Sequence, residues 1–241
     1  MRAIQVREFG GPEVLVLGEV PAPVAGPGQA VVGLEAADVI YLDTLLRGGW
    51  GGDWFPVRPP YVPGGGGAGR VLSVGEGVDP AWVGRRVVAR GEGGYAERMA
   101  VAADGMVAVP EGVGPAEAAA LVHDGVTALT LAGDAEIRPG ERVLVAAAAG
   151  GAGSLLVQLA RDAGARVVAA ARGERKLALA RELGAETVVD YTREDWPRLV
   201  REETGRCPAD QGRTGRGVWC MGPPRARKGP GDASQGAGMP S

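Results

Sequence analysis

Three small residues at fixed spacing carry the first chemical signal in the chain: Ala148, Gly150 and Gly153. They stand in the slots of a G-x-G-x-x-G fingerprint, with alanine in the first slot. Glycine at 150 lets backbone N–H groups approach a pyrophosphate, and glycine at 153 lets a following helix pack closely on the preceding strand. The turn formed by Gly150, Gly151, Ala152 and Gly153 would then present its N–H groups at the positive end of a helix dipole. A plain small-residue turn is the competing reading, because the chain holds 42 glycines. A second pair of groups follows. Arg172 ends the next apolar run, and Lys176 lies just beyond it. A dinucleotide without a 2′-phosphate is held there by a carboxylate that bonds the ribose 2′-hydroxyl. Ala171-Arg172-Gly173 offers none, while the two cations could meet a phosphate. NADPH is therefore the expected cofactor. The alternative, solvated residues at a helix start, leaves cations opposing the dipole.

The elements that must position these residues are legible around them. Val143-Leu144-Val145 is a short apolar β-branched run, as in a strand buried on both faces. Leu155, Leu156, Leu159 and Ala160 recur at helical spacing, and Gly164 stops that helix. Residues 166–170 read as a second strand. Lys176, Leu177, Leu179, Ala180 and Leu183 form a second helix closed by Gly184, and Thr187-Val188-Val189 a third strand. Strand, helix, strand, helix, strand at these short spacings is half of a dinucleotide-binding domain.

Upstream the character is different. Short β-rich runs at 2–6, 14–20, 29–34, 69–75, 85–89 and 95–100 alternate with turn residues, which suggests a small, partly open barrel. Pro115 can open a helix, and residues 116–131 are helix-forming apart from Gly125. Arg138-Pro139-Gly140 would be the hinge into the nucleotide domain.

Whole-chain properties exclude several classes. The 241 residues carry a formal charge of −3, so nothing global points to nucleic acid or a membrane surface. No apolar stretch is long enough to span a bilayer, and Met1-Arg2-Ala3-Ile4-Gln5 lacks a signal peptide's apolar core, so a cytoplasmic location is expected. Cys207 and Cys220 are the two cysteines, which gives no disulfide framework.

The order of the two parts, and several short words, resemble the zinc-independent NADPH:quinone oxidoreductases of the medium-chain dehydrogenase/reductase superfamily, the zeta-crystallin-like group. The words include Tyr41-Leu42-Asp43-Thr44, Tyr61-Val62-Pro63-Gly64, Gly75-Glu76-Gly77-Val78, Gly93-Gly94-Tyr95-Ala96-Glu97, Val109-Pro110-Glu111-Gly112, the turn at 147–153 and Gln158-Leu159-Ala160. The resemblance implies an α/β chain: a GroES-like β-barrel domain on the substrate side over 1–114, and a partial Rossmann-type NADPH-binding domain with its linking helix over 115–205. It implies hydride transfer to a quinone or another conjugated carbonyl, with an enoyl reductase as an alternative. It also carries Lys176 and Tyr191 over as contacts to the 2′-phosphate side of NADPH, and Thr127 as a contact near the nicotinamide. Homodimers are usual in the group.

Catalytic zinc takes three protein ligands and an open position. The early region has no cysteine, and the slot of the metal-binding relatives' His-Glu pair falls in Gly64-Gly65-Gly66-Gly67. No metal site is expected. His123, the sole histidine, is either a packed or capping side chain or a group beside the cofactor, four residues before Thr127 on one helical face. Without zinc, NADPH carries the hydride and the protein positions it. A proton could come from solvent or through Tyr41 and Asp43, the candidate catalytic residues. The competing reading packs Tyr41 and makes Asp43 a cap. Trp50 is an aromatic wall for a flat substrate or a loop residue without a partner.

Three features depart from the family pattern. Ile40 replaces an asparagine, and Gly66 replaces a glutamate, which would leave a buried cation unpaired. Residues 206–241 are rich in Gly, Pro and Arg and poor in large apolar side chains, so the tail is expected to be disordered. It starts abruptly where a hydrophobic fourth strand would stand, as a chain read out of frame would, or as a natural linker or basic tail. On that reading the first nucleotide-domain strand keeps an unpaired edge, an aggregation hazard, and a remnant that binds nucleotide without turnover becomes a further alternative.

Overall fold

The computed structural model describes residues 1–204. The expected tail lies outside the described residues. The chain divides into two compact units, Met1–Glu136 and Ile137–Ser241.

The first unit is built from antiparallel strands. β1 (Arg2–Val6) pairs with β2 (Leu15–Glu19). Five further strands form one sheet: β3 (Gln29–Ala37), β4 (Gly66–Val74), β5 (Arg86–Arg90), β6 (Arg98–Ala102) and β7 (Val107–Ala108). Their order is β6-β3-β4-β5-β7. Isolated bridges from Ala3 to Ala96 and from Val6 to Tyr61 tie β1 to the segments flanking that sheet. Alternation sends Val87 and Ala89 of β5, and Met99 and Val101 of β6, into a core with Ala30, Val32, Val71 and Met106. Burying each such valine contributes roughly 1.5–3 kcal/mol. Small residues are required where β3 and β4 approach: a β-carbon at Gly69 would meet Leu34 Cα at 2.9 Å and collide with the Gly33 carbonyl.

Three helices complete this unit: α1 (Tyr41–Arg47), α2 (Pro115–Ala120) and α3 (Asp124–Ala135). The first covers the word Tyr41-Leu42-Asp43-Thr44. The expected continuous helix over 116–131 is instead two helices. Its break is a turn in which Leu121 N–H bonds Ala118 O and Val122 N–H bonds Ala119 O, and the turn aims Val122 and His123 at the glycines before and within β4. Ala118 and Ala119 of α2 pack against Ala68 of β4. The compact unit runs past the sequence boundary at 114/115 to Glu136.

The second unit alternates strand and helix: β8 (Arg142–Ala146), α4 (Gly151–Asp162), β9 (Arg166–Ala171), α5 (Glu174–Glu182), β10 (Thr187–Asp190) and α6 (Trp196–Thr204). The strands are parallel, in the order β10-β9-β8. This is the expected half of a dinucleotide-binding sheet. Gly164 and Gly184, at φ 80° and 107°, end α4 and α5 in the left-handed region that favours glycine. The final helix has no counterpart in the sequence expectations. It places Val200, with Leu199 and Trp196, against Leu144, Val168, Ala170 and Val189, so it covers one face of the sheet.

Candidate functional site

The C-terminal ends of three parallel strands bring three segments to one edge of the second unit: the turn after β8, the loop after β9, and Asp190-Tyr191 after β10. In open parallel sheets this edge is where ligands bind.

The turn after β8 has the geometry its residues suggest. Ala147 adopts φ 51°, a left-handed conformation uncommon for alanine. Ala148 is fully buried, and its N–H donates to Ala170 O at 3.0 Å, so the first fingerprint slot prolongs the strand contact. Gly150 caps α4 with φ −85° and ψ 176°. A β-carbon at Gly153 would collide with the Ala147 carbonyl, lying 2.9 Å from its carbon and 3.0 Å from Ala148 Cα. Glycine is therefore obligatory at 153 for helix–strand contact. At Gly150 the nearest atom to a β-carbon is Ala147 O at 3.2 Å, so the protein itself tolerates more there. The first intrahelical bond of α4 beyond the cap runs from Ser154 N–H to Gly150 O, and no side chain caps the helix. The N–H groups of Gly151, Ala152 and Gly153 thus form an anion-accepting end.

The loop after β9 places Arg172 and Lys176 on the surface. Gly173 caps α5 with φ 79°. Its N–H donates to Asp190 Oδ2 at 3.2 Å, while Asp190 Oδ1 accepts Thr192 N–H at 2.9 Å and Thr192 Oγ1–H at 2.7 Å. The bonds from Thr192 lead in holding the Asp190 carboxyl below its usual range. Residues 171–173 contain no carboxylate, but the neighbouring strand brings one to this loop. Tyr191 is half-buried, packs against the sheet's core, and donates its N–H to Ala171 O at 3.2 Å.

The other candidates lie in the first unit. Thr127 is exposed on α3, its N–H bonded to His123 O. Tyr41 is exposed at the start of α1. Asp43 closes that helix end: its Oδ2 accepts Ile40 N–H at 3.0 Å and the Tyr95 hydroxyl at 2.9 Å. Burial, then the Asp43 charge, pushes the Tyr95 phenol up, and the same two causes raise Tyr61. The Tyr61 hydroxyl is buried without a hydrogen-bond partner. Trp50 makes a tilted contact with Phe55 at a centroid distance of 6.2 Å.

His123 stands at the N-cap position of α3, but its side chain makes no capping bond. Its Nδ1 bonds Asp38 Oδ2, and the side chains are 18% and 4% exposed. A β-carbon at Gly65 would stand 2.9 Å from His123 Cε1, and one at Gly66 would stand 2.7 Å from Val122 Cγ1. Side chains from the α2–α3 turn therefore fill the space above both glycines. Asp38 and Asp190 escaped the sequence expectations, and Tyr61 and Tyr95 entered them only within family-like words, without a role. A lone acid within the apolar run Ala36-Ala37-Asp38-Val39-Ile40 was the available signal for the first.

An antiparallel-sheet unit followed by a parallel βαβ unit with a glycine turn defines a dehydrogenase-type chain. Residues 26–111 match the alcohol dehydrogenase GroES-like domain, and residues 151–211 match a family described as zinc-binding dehydrogenase. The chain is 34% identical to a quinone oxidoreductase of Pseudomonas aeruginosa, over 90% of this chain and 68% of that protein. It is 35% identical to a 2-haloacrylate reductase of a Burkholderia species, over 84% of this chain and 62% of that protein. Escherichia coli quinone oxidoreductase complexed with NADPH superposes with a TM-score of 0.79 at 31% identity, covering 85% of this chain and 63% of that one. This chain thus spans about two thirds of the length of these relatives. It belongs to the medium-chain dehydrogenase/reductase superfamily. One family description names zinc, and among the described residues no group of three or more His, Cys, Asp or Glu side chains could hold a metal ion.

Proposed function

We propose that the chain acts as an NADPH-dependent reductase of quinones or other conjugated carbonyls, without zinc. The observation that carries this reading is the turn after β8, where Gly153 is sterically obligatory and three N–H groups of α4 face outward for a pyrophosphate. Arg172, Lys176 and Tyr191 hold the 2′-phosphate end, and the NADPH complex of the E. coli relative supports that choice. Thr127 contacts the nicotinamide end. When bound, NADPH supplies the hydride. Tyr41 and Asp43 remain the proposed proton path from solvent, although Asp43 is also a helix cap. The zinc-free reading is supported by the donor set, since His123 and Asp38 supply two groups where three ligands are needed. We place the protein in the cytoplasm, acting on small molecules and not on nucleic acid or membranes.

NADPH binding followed by fluorescence, and NADPH oxidation with duroquinone, test this directly. Saturable binding with turnover is the expected result. Binding without turnover would make the chain a nucleotide-binding remnant, and absence of binding would sink the reading. Reduction of a carbon–carbon double bond beside a carbonyl is the second reading, favoured by the 2-haloacrylate reductase relative. Comparing 2-chloroacrylate and 2-cyclohexen-1-one with duroquinone separates the two.

A further inference from the structure

We propose that Asp190 accepts a hydrogen bond from the ribose 2′-hydroxyl of an unphosphorylated nicotinamide dinucleotide, so that the chain takes NADH as a second cofactor. The proposal rests on the cofactor site proposed above and concerns its adenosine half, which the second unit builds alone. Dinucleotide sites that take NADH carry a carboxylate at the end of the second strand. Here that strand, β9, leads into Ala171-Arg172-Gly173 and has none. The sheet supplies one from the side. Asp190, the last residue of β10, stands in register with Ala171, the last residue of β9. Its Oδ2 accepts Gly173 N–H at 3.2 Å, and the N–H of the next residue, Tyr191, donates to Ala171 O at 3.2 Å. The carboxylate therefore lies against the same loop, one strand over.

Its chemistry fits a hydroxyl donor. An ionised carboxylate has about four acceptor positions. Asp190 uses three of them among the described residues: one on Oδ2 for Gly173 N–H, and two on Oδ1 for Thr192 N–H and Oγ1–H at 2.9 and 2.7 Å. A position on Oδ2 remains, and the residue is only partly buried. The bonds from Thr192, and then the one from Gly173, keep the group ionised at neutral pH. The cation acting on it is Arg193, whose guanidinium is already bonded to Asp195 at 3.0 and 3.1 Å. Arg172 and Lys176 are exposed, one on the loop and one in the first turn of α5. A 2′-phosphate would gain those two cations but meet the Asp190 charge. A 2′-hydroxyl would gain a charge-assisted bond instead. The two nucleotides are thus served by different groups of one site, and selection between them is weak.

Calorimetric titration of the full chain tests this. NADH should bind with a Kd within about tenfold of that for NADPH. For the adenosine half alone, ADP should bind about tenfold more tightly than 2′-deoxy-ADP, which lacks the donor. Asp190→Asn keeps an acceptor for Gly173 N–H and removes the charge. It should weaken NADH about tenfold, shrink the gap between ADP and 2′-deoxy-ADP to about twofold, and leave NADPH unweakened. NADPH binding without NADH binding, equal affinities for ADP and 2′-deoxy-ADP, or an Asp190→Asn chain weakened equally toward both dinucleotides would overturn the assignment and reduce Asp190 to a support of the loop. A wild-type chain that binds neither dinucleotide would instead remove the cofactor reading itself. The comparison of ADP with 2′-deoxy-ADP needs no variant, so it decides even if Asp190→Asn fails to fold.

Discussion

At the residue scale, one motif contains two glycines with separate duties. Gly153 has no room for a β-carbon, because the Ala147 backbone occupies that space. Gly153→Ala should therefore destabilise the second unit by about 1–3 kcal/mol and abolish nucleotide binding together. Gly150 has a compatible φ and one contact at 3.2 Å. Gly150→Ala should cost about 1 kcal/mol as a poorer cap, yet weaken NADPH binding strongly by obstructing the approach of pyrophosphate. Thermal denaturation and fluorescence titration on both variants resolve the difference. Tyr95→Phe tests a different bond. It strips one donor from the buried side of Asp43 and should cost about 1–3 kcal/mol in chemical denaturation. Neither Tyr95 nor Asp38 was legible as a partner beforehand, since each meets a residue far along the chain: Asp43 and His123 respectively.

At the element scale, the parallel strands decide what the nucleotide meets. Arg172 and Lys176 stand after β9, but Asp190 reaches the same loop from β10 through Gly173 N–H. Arg172→Ala with Lys176→Ala should raise the Kd for NADPH about tenfold or more while leaving NADH nearly unchanged. Asp190→Ala should loosen the loop and weaken both nucleotides. Isothermal titration with each cofactor distinguishes the outcomes. The strand–helix alternation was plain in the sequence because Val143-Leu144-Val145 and Leu155-Leu156-Leu159 have unlike periods and glycine stops between them. The break between α2 and α3 was not, because alanine-rich sequence favours helix throughout. The turn there places Val122 over Gly66 and His123 over Gly65. Trp196, Leu199 and Val200 formed a helical stripe that the sequence reading passed over, and the sheet face shows why it is apolar.

At the scale of the molecule, pH should act from both sides. Glu97 is held below the usual carboxylate range first by the Arg2 backbone N–H, then by the Arg2 side chain. Glu186 is held low first by Arg166, Asp195 first by Arg193, and Asp190 first by Thr192. A lowered folded-state pKa gives stability that is present above the unfolded value and lost as pH falls through the folded one. None of these groups is buried, so each contributes little and their sum is sensitive to salt. Tyr95 and Tyr61 are raised, chiefly by burial. Their contribution is complete below the unfolded phenol value and disappears as pH rises through the folded one. Melting temperature should therefore form a plateau between about pH 5 and pH 10 and fall on either side. A Tyr95→Phe chain should hold its stability further into the alkaline range.

The sequence by itself determined the βαβ half-domain, the glycine turn and the strand-rich first unit, because those depend on local periodicity and on residues only a few positions apart. Only the tertiary structure decided that Gly153 is sterically compelled, that Asp190 joins the loop after β9, and that Asp38 meets His123. Each of these is a contact between segments distant in sequence, fixed by strand pairing and burial, and no local pattern of residue types encodes it.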